Sequence, residues 1–240
     1  MAGDQKIVLK EVRAALEHDT RINLHSYPIH LTFSNDDLVL EGETANVAAK
    51  KLALELAAAV PRVGRIIDRL RVRPAERMSD AVIRERVRDA LMGEPGFQTC
   101  SIRIQTRDQV FRDPRSGVSG DILIEVEDGV VFLNGYVPSL AHKRLAGVLA
   151  WWMPGSRDVI NGLEEVPSEE DNDEDVTDAV RLVLEKDPFV NADRIRVSTR
   201  NYVVTLMGFV LNKEVKDMAE FDAWYVFGVD GVVNKLDAEE

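Results

Sequence analysis

One pattern occurs three times in this chain, in a single register, and that repetition limits the possible folds more than any other feature. Three apolar stretches end on a glycine: Leu38-Val39-Leu40-Glu41-Gly42, Val131-Phe132-Leu133-Asn134-Gly135 and Val204-Thr205-Leu206-Met207-Gly208. Counting from each glycine, positions −13 and −11 hold Ile29 and Leu31, Ile122 and Ile124, Ile195 and Val197. Position +4 holds Asn46, Ser139 or Asn212, all residues that cap helix N-termini. Position +10 holds Leu52, Leu145 or Met218, +24 holds Ile66, Val159 or Val232, and +28 holds Leu70, Leu163 or Leu236. No gap is needed anywhere from −13 to +28.

Ahead of each block lies a further apolar stripe at i, i+4, i+8: Val8, Val12 and Leu16; Ile83, Val87 and Leu91; Val176, Val180 and Leu184. That spacing is one face of an amphipathic helix. Short polar turns join the first two alternating stretches of each block, the mark of an antiparallel hairpin. A third strand following a helix is expected to pair in parallel through a right-handed crossover. The fold class is therefore α+β: three tandem small units, each helix-strand-strand-helix-strand around a three-stranded mixed sheet. Their expected bounds are 4–74, 79–166 and 174–238. The second is longer by an insert at about 92–120, because 31 residues separate Leu91 from Ile122 where the other two repeats need 13 and 11. That insert holds a strand candidate at 101–106 and is the natural place for a repeat-specific function. Cys100 shares parity with Ile102 and Ile104, which marks it as a buried structural thiol.

Charge and cysteine usage exclude several functions. The net charge of −12 argues against general nucleic-acid binding. It is unevenly spread: residues 1–77 carry +1, 78–167 carry −3 and 168–240 carry −10. A single cysteine permits no internal disulfide and no cysteine-based metal site. With neither a secretory leader nor a membrane-length apolar run, the expected location is cytoplasmic, with envelope association open.

Taken together, the matched residues resemble the BON domain family, the bacterial osmotic-stress and nodulation type. The third repeat carries the pattern most fully, in Val204, Leu206, Gly208 and Val210, then Gly228, Val229, Val232, Asn234 and Leu236. The second keeps Val131, Leu133, Gly135, Val137, Gly155, Val159, Asn161 and Leu163. The first departs from it, with Arg62 in place of glycine and Asp68 in place of asparagine. The resemblance implies a fold and a binding role, proposed for family members to concern phospholipid surfaces or other ligands, often in the cell envelope and in stress. It brings no catalytic residue and no cofactor.

The glycines Gly42, Gly135 and Gly208 are expected to be structural, ending the hairpin strand with positive φ or a close helix approach. Asn161 and Asn234 are expected to bond nearby backbone. Arg69, Arg71 and Arg73 share one face of a closing strand, opposite Ile66, Leu70 and Val72. In line, they could hold lipid or other phosphates, or form a charged strand face that meets the acidic third repeat. Trp151, Phe221 and Trp224 lie on a second apolar stripe of their helices, beside the stripe assigned to Val215, Met218 and Tyr225. They serve either packing between repeats or a partner or membrane-interface patch. His25 and His30 read as solvent-facing, with too few convergent ligands for zinc. The run 171–175 fails the calcium-loop pattern, with Val176 where glycine belongs, and reads as a solvated linker that caps a helix. Asp108 or Asp113 with His142 would make a weak hydrolase constellation. The leading expectation is a non-enzymatic tandem binding or scaffold protein. A small-ligand or ion sensor, or a protein–protein interaction module, is the alternative.

Overall fold

The computed structural model describes residues 2–105, 110–111 and 119–239. The chain divides into two units, Met1–Arg73 and Pro74–Glu240. The first unit runs α1 (Ala2–His18), β1 (Ile29–Ser34), β2 (Asp37–Thr44), α2 (Val47–Ala58) and β3 (Ile66–Val72). β2 is the centre of its sheet, antiparallel to β1 and parallel to β3. The α1 stripe of Val8, Val12 and Leu16 is buried together with Leu38, Leu40, Leu52 and Leu70. Burying each such side chain contributes about 1.5–3 kcal/mol before entropy is counted. Asn46 starts α2 by accepting the Ala49 amide at 2.8 Å.

The second unit contains two repeats. The first is α3 (Asp80–Gly93), β4 (Cys100–Gln105), β5 (Val110–Phe111), β6 (Gly120–Glu127), β7 (Val130–Val137), α4 (Leu140–Trp152) and β8 (Asp158–Glu165). The second is α5 (Asp173–Lys186), β9 (Ile195–Arg200), β10 (Val203–Val210), α6 (Lys213–Tyr225) and β11 (Gly231–Ala238). Their sheets run β5-β4-β6-β7-β8 and β11-β10-β9. The three-stranded mixed sheet is thus present in each repeat, and in the middle one the insert extends it. Residues 101–105 of the strand candidate at 101–106 belong to β4, which pairs in parallel with the outer edge of β6. Cys100, Ile102 and Ile104 are buried in that repeat's core. Residues 106–109 and 112–118 of the insert lie outside the described residues.

The repeat register is reproduced residue for residue. Each glycine faces position −13 across the hairpin, Gly42 against Ile29, Gly135 against Ile122 and Gly208 against Ile195. Each faces position +28 across the parallel pair, as Leu70, Leu163 and Leu236. All three hairpins close through two residues, and both turn residues of Asp128-Gly129 and Asn201-Tyr202 have positive φ, as a tight hairpin turn requires.

The glycines do not end their strands. β2, β7 and β10 run on to Thr44, Val137 and Val210, and the close approach is to the neighbouring strand rather than to a helix. At Gly135, φ is 114°, and a Cβ would strike the carbonyl oxygen of Asp121. Gly208, at 136°, meets the Arg194 carbonyl in the same way. Gly135→Ala should therefore destabilise the second unit by about 2–3 kcal/mol, from the forced φ plus displacement of β6. An unchanged urea midpoint would refute this.

The first repeat's departure has a visible cost. Arg62 stands at φ 72°, where the equivalent residues are Gly155 at 94° and Gly228 at 87°. A side chain in the left-handed region costs about 1–2 kcal/mol that glycine would not.

Candidate functional site

The arginine strand of the first unit and the seam between the repeats of the second both gather charge or aromatic surface.

On β3 the arginines lie beside glutamates of β2. Arg69 pairs in register with Glu41 and Arg71 with Glu43. The ion pairs are loose and wet: Arg69 Nη1 is 3.9 Å from Glu41, Arg73 Nε is 3.5 Å from Glu43, and the two arginine side chains stay 60% and 57% exposed. Arg71 turns Nη1 onto the Leu70 carbonyl at 2.8 Å. Arg73 lies 5.7 Å from the Tyr27 ring centroid, within cation–π range. Exposed pairs of this kind contribute little to stability, so the stripe offers three guanidinium groups against two carboxylates.

A signal in the repeats themselves explains the motif asparagines. Position +8 is lysine every time: Lys50, Lys143 and Lys216. Lys50 Nζ bonds the Leu70 carbonyl at 2.8 Å and Asp68 at 2.7 Å. Lys216 Nζ bonds the Leu236 carbonyl at 2.6 Å. Asn234 returns the contact, donating to the Lys216 carbonyl at 3.0 Å while accepting the Leu236 amide at 3.1 Å. Asn161 does the same with the Lys143 carbonyl at 2.7 Å and the Leu163 amide at 3.3 Å. These side chains tie the second helix of a repeat to its closing strand. Lys143 is the exception, turned toward Glu165 at 3.3 Å and lying 4.8 Å from the Phe227 ring centroid.

That departure belongs to the seam. Helix α4 packs against α5 and α6, so the second and third repeats meet through their helical layers. Arg144 is 2% exposed, the largest of the fully buried side chains. Its Nε donates to the Phe227 carbonyl at 2.9 Å and its Nη2 to Asp171 at 2.6 Å. Asn172 then caps α5 by accepting the Glu174 and Asp175 amides, so the capping part of the 171–175 reading holds, but Asp173–Asp175 form the first turn of α5 and Asp171 is drawn into the seam, so the run is not a solvated linker. Lys186 reaches Glu94 at 2.9 Å.

Aromatic rings fill the rest. Trp151 stacks on Tyr225, with ring centroids 5.5 Å apart and 20° between planes. Trp152 Nε1 donates to Asp222 at 2.8 Å. Trp224 is 3% exposed and presents no surface to an outside partner, while Phe221 is half-buried. Of the two uses open to the second stripe, packing between repeats takes up Trp151, and Tyr225 leaves its own repeat's core stripe to meet it. Asp222 is itself buried. Burial chiefly, together with the neighbouring Asp187, pushes its carboxyl up to about 8 against the pull of Trp152. Burial, and then the Asp222 charge, push the Tyr225 hydroxyl up to about 12.

The remaining candidates resolve simply. His25 and His30 are exposed. His142 has structural partners, Ser139 Oγ at 2.6 Å and the Gly96 carbonyl at 3.1 Å, with Phe97 edge-on at 5.7 Å. Asp108 and Asp113 lie outside the described residues. Among the described residues no group of three or more His, Cys, Asp or Glu side chains is placed to hold a metal. No helix among them is long and apolar enough to cross a membrane.

The fold defines a tandem array of small α+β modules. Comparison with known families matches a BON domain at residues 4–74, 115–167 and 172–240. The chain belongs to the BON domain family. No curated protein matches it. Among solved structures it is similar to the C-terminal domain of CdsD, the structural protein of the type III secretion system of Chlamydia trachomatis, at 16% identity over 97% of this chain and 98% of that one, with a TM-score of 0.25. A second CdsD structure is similar at 17% identity over 97% and 93%, with a TM-score of 0.24. Likeness at those scores bears on neither fold nor function here.

Proposed function

We propose that this chain is a non-enzymatic tandem BON-domain scaffold that meets an anionic surface, phospholipid headgroups in particular, through Arg69, Arg71 and Arg73. The observation that supports it is the exposure of Arg69 and Arg73, whose ion pairs with Glu41 and Glu43 are 3.9 Å and 3.5 Å long. A phosphate offers an arginine two short charge-assisted bonds where the glutamates offer one long one. Because Glu41 and Glu43 cancel most of the local field, binding is weak and strongly dependent on salt.

The test is co-sedimentation with vesicles of phosphatidylcholine containing phosphatidylglycerol, at low and at physiological salt. The protein should pellet at low salt and be released as salt rises. The Arg69→Ala/Arg71→Ala/Arg73→Ala variant should lose most of the pelleted fraction, and Glu41→Gln/Glu43→Gln should increase it. Equal pelleting of all three proteins would exclude the arginine strand as the surface.

A further inference from the structure

The middle repeat covers a sheet edge that the third repeat leaves open. In the middle repeat β4 lies parallel along the outer edge of β6, with Ile102 opposite Ile122 and Ile104 opposite Ile124. Arg103 on β4 reaches Asp121 on β6 with two guanidinium bonds, the longer 2.7 Å. The corresponding strand of the third repeat is β9. Counted from the repeat glycine, Asp121, Ile122, Leu123 and Ile124 correspond to Arg194, Ile195, Arg196 and Val197. Among the described residues no strand pairs with the outer edge of β9, since the sheet order stops at β11-β10-β9.

An open edge with its backbone groups unpaired is a template for another strand. The first repeat protects the same place with a proline, Pro28, at the position of Asp121 and Arg194. β9 has no such guard. Instead, a groove of about 520 Å³ runs past it, lined by Arg181, Arg194, Arg196, Met207 and Phe209 among others. Arg181 Nη2 donates to the Val197 carbonyl at 3.4 Å, a long bond that an incoming strand could replace. The Arg194 side chain makes an exposed contact with Glu239 at 3.7 Å. Phe209 is 59% exposed.

The charge at the edge is reversed between the two repeats. Where β6 carries Asp121 and takes an arginine from its covering strand, Arg194 ends the short 3-10 turn Ala192–Arg194 that leads into β9, and β9 itself carries Arg196. Apolar positions remain apolar at Ile195 and Val197. We infer that the β9 edge of this BON-domain chain binds an extended acidic peptide segment of a partner protein, adding it in parallel as β4 adds to β6. Its apolar residues would stand opposite Ile195 and Val197, and its carboxylates beside Arg194 and Arg196. Asp193 replaces Gly120, where a Cβ would crowd Cys100 Sγ at 2.8 Å, and the extended edge starts only at Ile195, so the added strand begins level with Ile195. This surface is separate from the arginine strand of the first unit, and either can fail without the other.

The experiment uses the full chain and a labelled, acetylated peptide, Ser-Glu-Ile-Glu-Ile-Glu-Val, with Ser-Lys-Ile-Lys-Ile-Lys-Val as its twin. Fluorescence anisotropy should show binding of the glutamate peptide and not of the lysine one. Arg194→Glu/Arg196→Glu should weaken the glutamate peptide by about tenfold or more and acquire binding of the lysine peptide, a rescue that an unfolded variant could not show. Hydrogen exchange with saturating glutamate peptide should slow at residues 195–199. Failure of the glutamate peptide to bind at millimolar concentration, equal binding of both peptides, or protection confined to another strand would each overturn the inference. So would a dimer in which protection of 195–199 appears without any peptide, because a second copy would then hold the edge.

Discussion

Asp222→Asn should stabilise the second unit at pH 8 by a few kcal/mol and remove most of its pH dependence above pH 5. The carboxyl sits at 3.8 when the chain is unfolded and is pushed up to about 8 when folded. Between those values the folded state holds a proton that the unfolded state has released. Stability therefore falls as pH rises through that window, and above about pH 8 the full cost of the buried charge is present. At about 1.4 kcal/mol per pH unit the ceiling is on the order of 5 kcal/mol. Asparagine keeps an oxygen for Trp152 Nε1 and supplies an amide donor toward Asp187, with no charge to desolvate. Trp151, Trp152 and Trp224 are the chain's three tryptophans and all lie in the second unit, so indole fluorescence follows that unit alone. Urea midpoints for the two proteins from pH 5 to pH 9 should diverge as pH rises, with the variant the more stable at the alkaline end. Parallel curves would show that Asp222 is not a buried acid.

The repeat architecture was legible because it rests on periodic burial, which the spacing of apolar residues along the chain displays directly. The stripe Ile83, Val87, Leu91 and the parity of Cys100, Ile102 and Ile104 each state which face is buried, and a strand or helix follows from the period. What could not be read were the partners of polar groups. Arg69 and Glu41 are 28 positions apart, and only the parallel register sets them side by side. Lys50 and Leu70, or Trp152 and Asp222, meet for the same reason: a folded neighbour supplies the other half of the bond. The +8 lysine was the one such signal within reach, since it recurs in all three repeats at a helical position facing the closing strand. The aromatic stripe was legible as surplus apolar surface. Its destination was not, because a helix that packs on a second repeat and one that packs on a membrane show the same spacing.

Arg144 is where that surplus is settled, and replacing it should open the seam rather than either repeat. Its side chain is 2% exposed, so it is a charge removed from water and held by one carbonyl and one carboxylate. Arg144→Leu keeps the apolar bulk but leaves the Phe227 carbonyl without its donor and Asp171 without its cation. Breaking a buried pair from one side costs about 3–5 kcal/mol. Asp171 is 26% exposed and can recover water, so about 2–4 kcal/mol is expected here. Asp171→Asn in the Arg144→Leu background should restore part of that loss, since the stranded charge is gone while the carbonyl stays unpaired. The core of the middle repeat is built from its own stripe and includes neither Arg144 nor any residue of α5 or α6. Hydrogen exchange should therefore quicken first along α4 and α6 where they face each other, with the strands of both sheets still protected. Uniform acceleration through β6, β7 and β10 would instead mean that the two repeats fold only as one body, with Arg144 part of a single core.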